Sequence, residues 1–135
     1  YFEGTITTPS SLSNSTDNYS MSCGFVQSQG TSEPSGVHLF YNHSVNSGKW
    51  LGYTKGNSTS TIDTGVTVAT STTYKLAVQI RPDGSACYYI NDAYVGKTTT
   101  NLPASQGMIG GIQIYKLGGS SRTMTFTGME GRQIR

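Results

Sequence analysis

Between Thr73 and Pro103 the chain reads TYKLAVQIRPDGSACYYINDAYVGKTTTNLP, a run in which apolar and polar residues alternate, stop at a turn signal, and alternate again. A period of two is the spacing of a strand with one face against a core and one face in water. In Tyr74 to Ile80 it puts Tyr74, Leu76, Val78 and Ile80 on one side and Lys75, Ala77 and Gln79 on the other. Pro82-Asp83-Gly84 is a tight-turn signal, because Pro presets φ and Gly accepts a positive φ. Asn91-Asp92 suits the two positive-φ positions of a type I′ hairpin turn. Two consecutive hairpins follow, and with them an antiparallel sheet.

The same alternation marks ten strand candidates: Tyr1 to Thr7, Tyr19 to Val26, Val37 to Asn42, Lys49 to Thr54, Val66 to Ala69, Tyr74 to Ile80, Ala86 to Ile90, Tyr94 to Gly96, Met108 to Lys116 and Arg122 to Thr127. Ten short strands in 135 residues predict an all-β fold, an antiparallel β-sandwich in a single domain spanning residues 1 to 135. Tyr19, Met21, Cys23 and Phe25 should share a core face, as should Ile112 and Ile114. The polar stretches TPSSLSNSTDN, QSQGTSEPSG, HSVNSG and KGNSTST read as loops. Composition agrees with strands: 37 residues are Ser or Thr and only 11 are Leu or Ala.

Charged residues make up 12% of the chain and the net charge is +2, with no basic run carrying interleaved aromatics, so nucleic-acid binding is not expected. No apolar run approaches the roughly 18 residues of a membrane-spanning helix, and membrane insertion is not expected either. The sequence opens YFEGTIT, without Met and already patterned as a strand, which points to a processed or excised piece of a longer protein.

Few residues offer chemistry. The seven carboxylates are Glu3, Asp17, Glu33, Asp63, Asp83, Asp92 and Glu130, and no two are spaced by two along a strand as a glycosidase pair commonly is. His38 and His43 are five apart, on opposite faces if one strand holds both, so a shared metal site is not expected. Cys23 and Cys87 belong to no metal-binding spacing; they read as two buried thiols, with a bridge open only if their strands face each other. No Gly-x-Ser-x-Gly elbow or phosphate loop occurs. Aromatics remain: nine Tyr, four Phe and the single Trp50. Those left outside the core suit contact surfaces.

The run TGVTVATSTTYKLAVQIRPDGSACYYINDAYVGKTTTNLP, followed by IQIYKLGGSSRTMTFTGME, resembles the concanavalin A and laminin G-like β-sandwich (jelly-roll) domains of tailed-bacteriophage virion proteins. YSMSCGFV and VHLFYNHSVNSGKWLGYTKGNSTSTIDTGVTVA resemble the earlier strands of those domains, so the resemblance covers most of the chain. Asp92 stands where such domains usually carry the Gly of an Asn-Gly turn, and Thr127-Gly128-Met129 stands where an Asp-Tyr pair is common. The resemblance implies a fold and a setting, and no catalytic or metal residue is carried over.

The expectation is therefore a non-enzymatic domain on a virion surface, extracellular after release, in a tail fibre, tailspike, head fibre or decoration protein. It would act in structural contact or host-surface adhesion, without a cofactor. Expected partners are copies of itself in a trimer, other virion proteins, or a host surface glycan. The alternative is a carbohydrate-binding module attached to an enzyme or tailspike. Trp50 and Tyr53, with the loop residues Asn42, His43 and Asn46, are the candidate contacts.

Overall fold

In the computed structural model, residues 1–103 and 107–132 are described. Ten strands run in the order β1 (Phe2–Thr7), β2 (Tyr19–Val26), β3 (Gly36–Asn42), β4 (Lys49–Lys55), β5 (Thr59–Thr67), β6 (Thr73–Ile80), β7 (Ala86–Ile90), β8 (Ala93–Thr98), β9 (Ile109–Lys116) and β10 (Thr125–Gly131). They form two antiparallel five-stranded sheets, ordered β10-β1-β6-β7-β8 (sheet A) and β5-β4-β3-β2-β9 (sheet B). The sheets pack face to face as an antiparallel β-sandwich. No helix among the described residues is long and apolar enough to cross a membrane.

The alternation places the core where it was expected. Tyr19, Met21 and Cys23 of β2 meet Tyr74, Leu76 and Val78 of β6 in one buried cluster, with Phe25, Ile80, Ile112 and Ile114 packed at its margin. Both hairpin turns have the backbone their residues require. Gly84 adopts φ 74°, and Asn91 and Asp92 adopt φ 52° and 66°.

Two elements differ from the sequence reading. Strand β5 covers Thr59 to Thr67, so it begins at the end of the stretch KGNSTST that read as a loop and stops before Val68 and Ala69, which read as strand. It is an edge strand paired only with β4, and its inward face, Ser60, Ile62, Thr64 and Val66, carries two apolar residues among hydroxyls, a weak signal of a strand. The last strand lies at Thr125–Gly131 rather than Arg122 to Thr127. There β1 supplies the pairing, with a register shift between Thr5 and Ile6, and the ladder runs on through Gly128 despite its weak strand propensity.

Cys23 points into the core from sheet B, and Cys87 lies on sheet A opposite Gln79, at an outward-facing register position. Both thiols are buried and unbridged. The sandwich wall lies between their directions, which is why no bridge forms.

Candidate functional site

The five candidate contacts do not gather in one place. Trp50 lies inside, 0% exposed, its ring edge to face with Tyr41 at 6.0 Å and Tyr74 at 5.8 Å. A chain poor in Leu and Ala fills its core with large aromatics, and Trp50 is the largest of them, so its side chain is not presented at the surface. Tyr53 faces outward from β4 yet is only 4% exposed, because Glu33 and neighbouring loop residues lie over it. Asn42 is buried at the end of β3, where its Oδ1 accepts from the Ser44 backbone N–H at 3.0 Å and its Nδ2 donates to Asn18. His43 shares a 2.9 Å hydrogen bond between Nδ1 and Ser13 Oγ. Asn46 holds a turn position at φ 51° and donates to Asp63 Oδ1 at 3.0 Å. These three residues build the turn between β3 and β4.

The outer face of sheet A holds a different set. Register puts Glu3 of β1, Lys75 and Gln79 of β6, Tyr89 of β7 and Tyr94 of β8 on the side away from the core, and alternation adds Tyr1, just before β1. Tyr1, Gln79, Tyr89, Asp92 and Arg132 line a cleft of about 360 Å³ there. That volume falls in the range of small-molecule sites, which runs from roughly 300 to 1,000 Å³.

Each side chain in the cleft is held by a neighbour. The Tyr89 hydroxyl donates to Gln79 Oε1 at 3.2 Å and accepts from Arg81 Nη2 at 3.3 Å, while its ring meets Tyr94 edge to face at 5.8 Å. The Arg132 guanidinium sits 5.6 Å from the centre of the Tyr1 ring, a cation–π contact, and pairs with Glu130. Lys75 bridges Glu3 at 3.4 Å and Asp92 at 2.8 Å. Burial, reinforced by donation to the Glu3 carboxylate, pushes the Tyr1 phenol up to about 12, so it remains a donor throughout the physiological range. Hydrogen bonding to Asp92 holds the Lys75 ammonium above its ordinary value, so it stays charged.

The cleft thus offers two rings, an amide, a carboxylate and a guanidinium, carried by β6, β7, the turn after β7 and the residues just outside β1 and β10. Rings of this kind stack on apolar C–H faces, and the flanking groups match hydroxyls in both donor and acceptor sense. A second cleft, of about 560 Å³, opens at the seam between the sheets and is lined by Phe2, Phe25, Ile80 and Met129 among others. It shares Tyr1 and Arg132 with the first cleft, and the rest of its lining is Phe, Ile, Met and glycine. Among the described residues no group of three or more His, Cys, Asp or Glu is arranged to hold a metal.

The sequence reading missed this face, although one signal was present. Tyr88 and Tyr89 are adjacent on a strand, so one of them must point outward. Tyr88 is fully buried in the core, and Tyr89 is the one left for the surface.

No protein-family model matches this chain, and no curated protein or solved structure does.

Proposed function

We propose that this chain is a non-enzymatic adhesion domain, displayed on a phage particle as part of a fibre, spike or decoration protein, that holds a host-surface glycan against the outer face of sheet A. The observation that carries the reading is the cleft in which the Tyr1 and Tyr89 rings are flanked by Gln79, Asp92 and Arg132. A sugar ring presents an apolar C–H face and a rim of hydroxyls. The tyrosine faces suit the first, and the amide, carboxylate and guanidinium suit the second. The phage setting rests on the sequence resemblance described above, and the glycan on the chemistry of the cleft.

Binding of the domain to an array of bacterial surface polysaccharides tests this. Wild-type protein should bind a subset of glycans, and Tyr89→Ala and Gln79→Ala should each weaken that binding at least tenfold while leaving the unfolding midpoint nearly unchanged. Absence of wild-type binding across the array, or full binding by both variants, would overturn the reading.

A further inference from the structure

The opposite side of the sandwich carries a feature that the glycan reading does not use. The loop at residues 27–35, between β2 and β3, folds back over the outer face of sheet B. Ser32 O accepts from Ser20 Oγ of β2 at 2.8 Å, Thr31 O accepts from Gln113 Nε2 of β9 at 2.8 Å, and Gly30 N–H donates to Gln113 Oε1 at 3.1 Å. Farther along, Glu33 Oε2 accepts from the Tyr53 hydroxyl at 3.3 Å, and Glu33 O accepts from Lys55 Nζ at 3.2 Å, both on β4. Strand β3 lies between β2 and β4, so a loop tied to both must cross it. The strap is otherwise polar and largely exposed, with Pro34 its one buried residue.

Under the crossing is His38. Its ring lies 4.8 Å from that of Tyr53 and 6.1 Å from that of Phe40, it is 0% exposed, and neither ring nitrogen has a hydrogen-bond partner. Ser22 Oγ, on the same outer face of β2, is likewise buried without a partner. The titratable and charged groups facing the ring are Tyr53 and Lys55 on β4 and Glu33 on the strap, while β2 offers only Ser22 and Gly24 there. A proton placed on this ring would create a buried cation beside the Lys55 ammonium.

We propose that residues 27–35 form an acid-released strap, held down over sheet B while His38 is neutral and lifted when protonation of His38 favours a state in which the ring reaches water. Lifting frees the Tyr53 ring from Glu33 at the edge of an outer-face cluster with Phe40 and Leu51. Burial, with a contribution from Lys55, lowers His38 in the closed state to about 3. In an open state it titrates near its ordinary value of about 6.5. The closed state therefore binds the proton more weakly, and the opening constant rises as pH falls below 6.5. The increase between pH 7.5 and 4.5 is roughly 100-fold.

Native-state amide hydrogen exchange, corrected for intrinsic rates, reads the opening directly. Protection at the Gln27 and Gly30 amides should fall roughly 100-fold from pH 7.5 to pH 4.5 while β6 and β7 amides keep theirs. His38→Phe, which keeps the ring and removes the titration, should abolish the fall, and His43→Gln should leave it intact. Tyr53→Phe, which removes one tie to Glu33 and leaves His38 in place, should raise opening at both pH values and preserve their ratio. An unchanged strap in wild type at pH 4.5, an equal fall in His38→Phe, or an equal loss across the β6 and β7 amides would each overturn the proposal. Should His38→Phe fail to fold, the Tyr53→Phe ratio and the pH at which wild-type protection starts to fall, about 6.5 or not until below about 5, decide the matter.

Discussion

Trp50 of β4 and Tyr74 of β6 meet edge to face across the sandwich, ring centres 5.8 Å apart with an interplanar angle of 76°. They belong to different sheets, so this contact is part of what holds sheet B against sheet A. The Tyr74 hydroxyl also donates to Thr67 O at 3.2 Å and accepts from the Ala69 N–H at 2.9 Å, which fixes the chain where it crosses from β5 to β6. Removing the indole leaves a cavity that rigid strands cannot close. Trp50→Ala should cost about 3 to 5 kcal/mol, read as a lower urea midpoint at unchanged slope. A cost below about 1 kcal/mol would show that the indole is not packed as described.

Gly52, two residues along the same strand, carries the opposite risk. A Cβ built there would lie 2.7 Å from two ring carbons of Tyr88 and 2.5 Å from Ile62, both side chains that fill the space between the sheets. The Tyr88 ring is fully buried and has no room to retreat. Gly52→Ala should therefore destabilise by about 1 to 3 kcal/mol although alanine has the better strand propensity. The double variant Gly52→Ala with Ile62→Ala tests the mechanism, since removing the Ile62 Cγ1 that the new Cβ meets should make Gly52→Ala cost less than it does beside Ile62.

Alternation fixed the faces of β2 and β6, because Tyr19, Met21, Cys23, Tyr74, Leu76 and Val78 each bury on the side their spacing assigns. Edge strand β5 was legible only at Val66, because its inward face mixes Ile62 and Val66 with Ser60 and Thr64 and its hydrophobic period is weak. Sites were harder. Trp50 and Tyr53 drew attention as surplus aromatics, yet composition cannot say which aromatics a core will use. Trp50 alternates inward by its register opposite β3, and Tyr53 is covered by a loop whose path no local pattern encodes. The sheet A cleft depends on Tyr1, Gln79 and Tyr89 becoming neighbours through the pairing of β1, β6 and β7, which only the tertiary structure provides.

Burial makes the two cysteines inert in the native state. Desolvation pushes the Cys23 thiol up to about 12, and its Sγ lies 3.8 Å from Leu76 O, leaving almost no thiolate at neutral pH. Cys87 is equally sealed from solvent. Alkylation of native protein should label neither residue over hours, whereas alkylation after unfolding without reductant should add two groups. A mass two hydrogens lighter that takes up no label would mean a bridge, which the opposed directions of the two side chains do not permit.

Two carboxylates make the acid limb of stability predictable in sign. Asp63 is held down to about 2, chiefly by the Gly65 backbone N–H, then by the Asn46 amide and the Lys49 ammonium, which lies at 3.0 Å. Asp17 is also lowered, chiefly by the Ser120 backbone N–H, and it pairs with Arg122 and Lys116 across the turn that follows β9. Each carboxyl binds its proton more weakly folded than unfolded, so each contributes stability above its ordinary value of 3.8 and loses that contribution as pH falls through its folded value. Stability carried by this pair should hold from neutrality to about pH 4 and decline below it. NMR titration should place the Asp63 midpoint near 2, and both Asp63→Asn and Asp17→Asn should flatten the decline below pH 4 while lowering stability at pH 7. Because Asp63 is about half exposed, its loss at neutral pH should be small and should shrink with added salt. A midpoint for Asp63 at or above its ordinary value would mean that the Gly65, Asn46 and Lys49 contacts do not hold the carboxylate in solution.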